Sequence, residues 1–258
     1  MKVVIFAGGL GTRISEESHL RPKPMIEIGG RPIIWHIMKI YESFGHNEFI
    51  ICCGYKANIV KEYFLNYFLY NSDITVEVRN NKLDVHYTNA ESFKVTLVDT
   101  GLETKTAGRL KKVQKYLNGE TFMLTYGDGV GDININELIS FHKQHTKLAT
   151  VTAVQPPGRF GNMKINKEGK VINFKEKPDD KSLWINGGFF VLETNIFDYL
   201  PENSDDIMWE ESPLVNLTKS NQLVSYKHYG FWKCMDAMRD KIELEELWES
   251  NQAKWKIW

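Results

Sequence analysis

The sequence predicts an α/β protein built on a mixed, mainly parallel sheet flanked by helices. Short β-rich apolar runs alternate with segments of helical periodicity through roughly the first 155 residues, the β-α-β-α order of such a sheet. The opening run, Lys2 to Ala7, passes straight into Gly8-Gly9, which suits a buried strand feeding a loop at its carboxyl end, the edge that ligands favour. A composition of 42% hydrophobic and 25% charged residues over 258 is that of a packed chain with a sizeable core, not of a disordered or fibrous one.

After a long loop, Pro32 opens a helical pattern with Ile33, Ile34, Ile37, Met38, Ile40, Tyr41 and Phe44 on one face, closed by Gly45. Glu48 to Cys53 reads as the next strand and Ile59 to Phe68 as the next helix. Two β-rich runs, Ile74 to Arg79 and Leu83 to Thr88, meet at Asn80-Asn81 as a hairpin would. Lys94 to Val98 reads as a strand, Gly108 to Leu117 as a helix, Thr121 to Tyr126 as a strand, Ile135 to His145 as a helix and Ala149 to Val154 as a strand.

Beyond Pro156-Pro157-Gly158 the pattern shifts to short strands, Met163 to Asn166, Val171 to Glu176 and Gly188 to Leu192, then to helical stretches ending in a helix near Arg239 to Glu249. This half has the look of an insertion or lid rather than a second copy of the first. No internal repeat, low-complexity segment or Gly/Ser linker divides the chain, so residues 1–258 are expected to form one domain, with a first part of about 1–155 and a second of about 156–258.

Charge and cysteine usage narrow the function class. Thirty-two Lys and Arg against 33 Asp and Glu leave a net charge of −1, so no global field recruits nucleic acid or an anionic membrane, and any anion site is local. The apolar runs are short for a membrane span and the opening lacks a signal-peptide pattern, which points to the cytoplasm. Three cysteines, two of them adjacent at Cys52-Cys53 on a strand that would turn them to opposite faces, argue against a disulfide framework or a Cys-rich zinc site. The seven histidines, among them His36 and His142, show no His-x-x-x-His spacing, and no Gly-x-Ser-x-Gly elbow appears. The aromatics of Tyr63 to Phe68 read as core and partner-helix packing.

The sharpest motif is Ala7-Gly8-Gly9-Leu10-Gly11-Thr12-Arg13 directly after the first strand. Glycines there let backbone N–H groups approach phosphate oxygens, and Arg13 adds a planar cationic fork. It is neither a dinucleotide fingerprint, because Ile14 stands where glycine is needed, nor a P-loop, because Gly11 leads into Thr12-Arg13. Downstream, Arg21-Pro22-Lys23-Pro24-Met25 stiffens the backbone on both sides of one lysine and so suits charge placement at a transferring phosphoryl group. Singly, each segment is equally a plain turn or surface loop; together, at this spacing, they are far more specific.

Tyr126-Gly127-Asp128-Gly129 closes an apolar run and offers Asp128 as a Mg²⁺ ligand beside a triphosphate. Asp132 is expected to cap the helix near Ile135. Asp236 is either a second metal carboxylate or the N-cap of the last helix, with Arg239-Asp240-Lys241 as an ordinary charged face. Glu176-Lys177-Pro178, Asn186-Gly187-Gly188-Phe189-Phe190 and the upstream Gly158-Arg159-Phe160-Gly161 supply the paired donors, acceptors and cation that a sugar phosphate needs, although each alone has the look of a β-turn or strand end.

Taken together, Gly8 to Arg13 with Arg21 to Met25 resembles the signature of the sugar-1-phosphate nucleotidylyltransferases. The likeness runs from end to end through Cys52-Cys53-Gly54-Tyr55-Lys56, Val98-Asp99-Thr100-Gly101, Gly108-Arg109-Leu110-Lys111 and Gly230-Phe231-Trp232, and matches least over Arg79 to Phe93. It implies a glycosyltransferase-A-like, Rossmann-like fold with a small sugar-binding β-rich insertion. It also implies Mg²⁺ as cofactor, a homo-oligomer, and CTP and α-D-glucose 1-phosphate as substrates, with CDP-glucose and diphosphate as products feeding deoxysugar or surface-polysaccharide synthesis. Carried over by position, Phe6, Ala7, Gly8, Gly9, Leu10, Gly11, Thr12, Arg13, Lys23, Thr104, Gly108 and Arg109 meet the nucleotide, with Lys23 and Arg13 catalytic. Asp128 and Asp236 hold the metal, and Gly161, Glu176, Lys177, Asn186 and Gly187 form the sugar-phosphate pocket.

The resemblance implies in-line attack of the sugar phosphate oxygen on the α-phosphorus. That nucleophile is already an anion, so the protein's task is positioning and charge stabilisation rather than base catalysis. The competing readings are a nucleotidylyltransferase with another base or sugar phosphate, a transferase using a finished nucleotide sugar, and a non-catalytic sugar-nucleotide-binding protein. A NAD enzyme is disfavoured by Ile14.

Overall fold

A computed structural model describes residues 1–155, 162–166, 168–175 and 183–258, with the backbone alone at residues 15, 162–165 and 173–175. Strand β1 (Val3–Ala7) leads through a short α1 (Ser15–Ser18) and a two-residue ribbon, β2 (Glu27–Ile28) and β3 (Arg31–Pro32), into α2 (Ile33–Glu42). Then come β4 (Glu48–Cys53), α3 (Ala57–Tyr70), the hairpin β5 (Ser72–Glu77) and β6 (Lys82–Thr88), β7 (Lys94–Asp99) and α4 (Thr106–Val113). They are followed by β8 (Phe122–Tyr126), β9 (Gly129–Gly131), α5 (Ile135–His145) and β10 (Ala149–Val154). The rest comprises β11 (Asn162–Ile165), β12 (Val171–Lys175), β13 (Ile185–Leu192), α6 (Ser212–Lys219), β14 (Leu223–His228), β15 (Trp232–Cys234) and α7 (Met238–Glu249).

Among the described residues the central sheet has seven strands in the order β14-β10-β13-β8-β1-β4-β7. Its pairs are parallel except where β13 runs antiparallel to both β8 and β10. The alternation of side chains sorts the strands onto two cores. Val3, Ile5 and Ala7 with Phe49, Ile51 and Cys53 face α2, α5 and α7, whereas Val4 and Phe6 with Ile50 and Cys52 face α4 and α6. Cys52 and Cys53 thus lie on opposite faces, both as free buried thiols. The buried His36 of α2 donates from Nε2 to Ile28 O at 2.8 Å and accepts from Trp255 Nε1, which pins the C-terminal segment to the sheet's helix layer. Burial pushes its pKa down to about 4, so it stays neutral.

Two strands from beyond residue 156 complete the central sheet: β13, read from the sequence as part of the later half, enters its middle, and β14 adds an edge. The edge strand escaped the sequence reading because Leu223 to His228 is short and half-exposed and lacks the continuous apolar run of the buried strands. Strands β11 and β12 form a separate two-stranded antiparallel sheet, as does the β5–β6 hairpin. Asp132 does not cap α5. Asn134 does, accepting from Glu137 N at 3.1 Å, and Asp132 Oδ1 instead lies 2.9 Å from His228 Nε2. No described helix is long and apolar enough to cross a membrane.

Candidate active site

A cleft of about 1370 Å³ opens at the carboxyl ends of β1 and β8, where an open α/β sheet places its ligands. Its floor begins where β1 runs out. Gly8 lies so close to the Arg109 guanidinium that a Cβ there would stand 2.1 Å from Nη1, and Gly11 turns the loop at a φ of +65°, which a side chain would strain. Residues Gly9 and Leu10 between them are exposed on the cleft wall. Ile14, the residue that excludes the dinucleotide fingerprint, is fully buried in the core.

Lys23 heads a single 3-10 turn, Lys23–Met25, with Pro22 before it and the buried Pro24 after it. Its Nζ donates to Asp128 Oδ2 and to Asp236 Oδ1, each at 2.6 Å, and its side chain is 12% exposed. Arg13 Nη1 reaches the other oxygen of Asp236 at 2.9 Å from an exposed position. Burial alone would lower the Lys23 pKa, but Asp128 and Asp236 outweigh it and raise the pKa, so the ammonium persists at neutral pH. Burial would raise Asp236, but the Lys23 ammonium and then Arg13 hold its carboxyl below the usual range.

Two short strands that the sequence reading missed bring the carboxylates together. β9 pairs antiparallel with β15, setting Gly129 opposite Cys234, and Met235 N donates to Asp128 O at 2.9 Å. Asp236 is not the N-cap of α7. Asp240 Oδ2 accepts from the backbone N–H groups of Asp236 and Ala237 at 3.1 and 2.9 Å, which leaves the Asp236 carboxylate for Lys23 and Arg13.

On the nucleotide side of the sequence reading, Phe6, Ala7, Thr12 and Thr104 line the cleft. Thr104 Oγ1 accepts from Lys112 Nζ at 2.9 Å. Arg109 also reaches the cleft, but its guanidinium is a buried hub. It donates to Gly8 O, Cys53 O, Gly101 O, Leu102 O and Thr100 Oγ1 at 2.6–3.2 Å, tying the glycine loop to the β4 and β7 ends. Arg109→Lys keeps the charge but not the fork; with several buried carbonyls left unpaired, the unfolding free energy should fall by about 3 kcal/mol. Chemical denaturation measures this, and an unchanged midpoint would deny the hub its structural role. Gly108 lies away from the cleft: a Cβ there would meet Asp205 Cα at 2.7 Å, so this glycine serves the packing of α4 on the 204–207 loop.

Asn186 and Gly187 of β13 also line the cleft. Trp232 Nε1 donates to Gly187 O at 2.7 Å, and Asn186 Nδ2 donates to the Tyr126 hydroxyl at 3.0 Å. Gly161, Glu176 and Lys177 lie outside the described residues, as do Gly158, Arg159 and Phe160. Glu210 and the hydroxyl of Tyr126 belong to the cleft and were not singled out from the sequence, where nothing marks a lone Glu ahead of a helix.

Comparison with known proteins follows the same lines. A family model described as nucleotidyl transferase matches residues 2–247. The chain is 52% identical over 259 aligned residues to proteins of Salmonella typhimurium and Salmonella typhi named glucose-1-phosphate cytidylyltransferase, covering 100% of each chain. A solved UDP-glucose pyrophosphorylase complexed with UDP-glucose superposes with a TM-score of 0.69 at 18% identity, covering 97% of this chain and 98% of that one, a likeness of fold. With the family model spanning nearly its whole length, the chain belongs to the nucleotidyl transferase family.

Proposed function

We propose that the protein transfers a cytidylyl group from CTP to α-D-glucose 1-phosphate, giving CDP-glucose and diphosphate. The observation that carries this reading is one partly buried ammonium, Lys23 Nζ, held by two carboxylates at the mouth of a glycine loop. The full-length likeness to cytidylyltransferases narrows base and sugar. A phosphate oxygen of the sugar phosphate attacks the α-phosphorus, a new P–O bond forms, and the bond to the β-phosphate oxygen breaks as diphosphate leaves. The nucleophile is anionic from the start, so no residue has to remove a proton. Lys23 is placed to offset charge on the reacting phosphate, Arg13 supplies an exposed cation at the loop, and Gly8 to Gly11 let the backbone approach the nucleotide.

Asp128 and Asp236 are the groups that would hold Mg²⁺. They aim carboxylate oxygens at one point, now shared by Lys23 Nζ, and one or two carboxylates completed by phosphate oxygens is a donor set this ion favours. Bound there, the ion would neutralise triphosphate charge.

The test is diphosphate release from the purified protein with glucose 1-phosphate and Mg²⁺, offering CTP, UTP, dTTP, ATP and GTP separately. Release with CTP at least about tenfold above the others is the expected outcome. Preference for another triphosphate corrects the base, and no release with any of them overturns the proposal.

A further inference from the structure

The cleft lining also carries a chain of hydrogen bonds whose direction is set by one carboxylate. Glu210 lies just ahead of α6, and both of its oxygens are engaged. Thr106 Oγ1 donates to Oε2 at 2.9 Å, and the Tyr126 hydroxyl donates to Oε1. Thr106 is the donor in that contact because a carboxylate only accepts, and its Oγ1 in turn accepts from Trp209 N at 2.7 Å. Tyr126 is equally constrained. Its ring is packed against Phe6 and Phe190, with Gly188, at a φ of +80°, so close that a Cβ there would stand 2.5 Å from the ring.

The direction then passes to Asn186. An ionised carboxylate only accepts, so the one proton of the Tyr126 hydroxyl is committed to Glu210 and its oxygen can only accept from the next partner. Asn186 Nδ2 fills that place at 3.0 Å, and Asn186 Oδ1 accepts from Gly188 N at 2.8 Å. The amide is thereby fixed with its carbonyl inward. Among the described residues nothing else takes its second N–H, and the side chain is exposed on the cleft wall. A sugar phosphate presents acceptor oxygens, so a donor is what this position has to offer.

We propose that Glu210 is a positioning residue for the sugar-phosphate subsite, acting through the Tyr126 hydroxyl to hold the Asn186 amide with one N–H left for the substrate. This rests on the reading of the cleft as a sugar-1-phosphate site. Without the carboxylate, the Tyr126 hydroxyl is free to turn its proton toward Asn186, and the amide loses the partner that sets its orientation. Glu210 touches no reacting atom; its effect belongs in the affinity for the sugar phosphate.

The test compares Tyr126→Phe, Glu210→Met and Glu210→Gln with the unaltered full-length protein, measuring kcat and both KM values by diphosphate release. Tyr126→Phe and Glu210→Met are expected to raise the KM for glucose 1-phosphate about tenfold, which is about 1.4 kcal/mol. The nucleotide KM should stay within about twofold and kcat within about threefold of wild type. Glu210→Gln is expected to stay near wild type, because an amide can still accept from Tyr126 with its oxygen and donate to Thr106 with its nitrogen. A purely structural role would instead move both KM values and the melting temperature together, and would not be rescued by Gln. Equal losses for both substrates, or no change in the sugar-phosphate KM, overturn the proposal. Should Glu210→Met fail to fold, Tyr126→Phe, which removes a single oxygen from a packed ring, decides alone. An unaltered protein inactive with glucose 1-phosphate marks failure of the substrate reading itself, whereas an active one with indifferent variants marks failure of the Glu210 assignment.

Discussion

Lys23→Ala should lower kcat by roughly 10²–10³ while leaving the protein folded and the nucleotide KM within a few-fold, the loss seen when one preorganised electrostatic donor is taken from a transition state. The ammonium is preorganised on three counts. Two prolines fix the backbone around it, a 3-10 turn begins at it, and two carboxylates hold Nζ at 2.6 Å with 12% of the side chain exposed. A lysine held this way has its rotamer entropy and desolvation settled before substrate arrives, so its removal should appear in kcat more than in binding. Lys23→Arg should recover little, because a planar fork cannot occupy the point between the carboxylates that a compact ammonium fills. Steady-state diphosphate release checks both variants, and unchanged turnover in Lys23→Ala would remove the residue from the chemistry.

The same substitution carries a pH signature. Asp236 in the folded protein titrates below its ordinary value, despite burial, chiefly because of Lys23. A carboxylate with a depressed folded pKa adds stability that is present above the unfolded value and is lost as pH falls through the folded one. In Lys23→Ala that depression shrinks, leaving Arg13 as the remaining cation on Asp236. The variant's stability should therefore fall less steeply on acidification than that of the wild type, as denaturant midpoints measured from about pH 5 down to about pH 2 would record.

Strands β1, β4 and β8 were legible because each is buried on both faces and reads as a nearly unbroken apolar run, as in Val3 to Ala7 and Phe122 to Leu124, whereas the exposed β5–β6 hairpin was legible from its Asn80-Asn81 turn. Helices α2 and α5 were legible from their periodicity, and α5 keeps the bounds that the pattern gave. Elements lying on edges or made of glycine were not. β14 is half-exposed, and β9 is Gly129-Val130-Gly131, which has too little side chain to signal a strand. That matters for the site, because the β9–β15 pairing brings Asp128 to Asp236 across 108 residues of chain. Motif reading found both carboxylates and Lys23 but had no means of showing that they meet. Gly108 shows the converse: it stands in a recognisable motif, yet its lack of a side chain serves helix packing. The direction of the Glu210–Tyr126–Asn186 chain is a property of geometry alone, since those residues lie in three separate segments.

Replacing either carboxylate by its amide should separate the metal reading from the lysine reading. Asp128→Asn and Asp236→Asn each keep the side-chain volume and leave the β9–β15 backbone pairing intact, so both should fold. On the metal reading each removes one unit of ligand charge, and the Mg²⁺ concentration for half-maximal activity should rise by about 10²-fold, at least what loss of an outer-shell partner costs. Asp236→Asn should also take away the negative charge that pairs with Arg13 at 2.9 Å, whereas Asp128→Asn leaves that pair untouched. If Arg13 meets the nucleotide as proposed, the two variants should therefore differ in nucleotide KM more than in their Mg²⁺ dependence. The double variant should cost less than the product of the two single effects, since both carboxylates serve one point and the first loss already breaks the pair. A Mg²⁺ titration that matches wild type in either single variant would exclude that residue as a ligand. Strict additivity in the double variant would mean that the two carboxylates act at separate places, against the geometry that has Lys23 Nζ touching both.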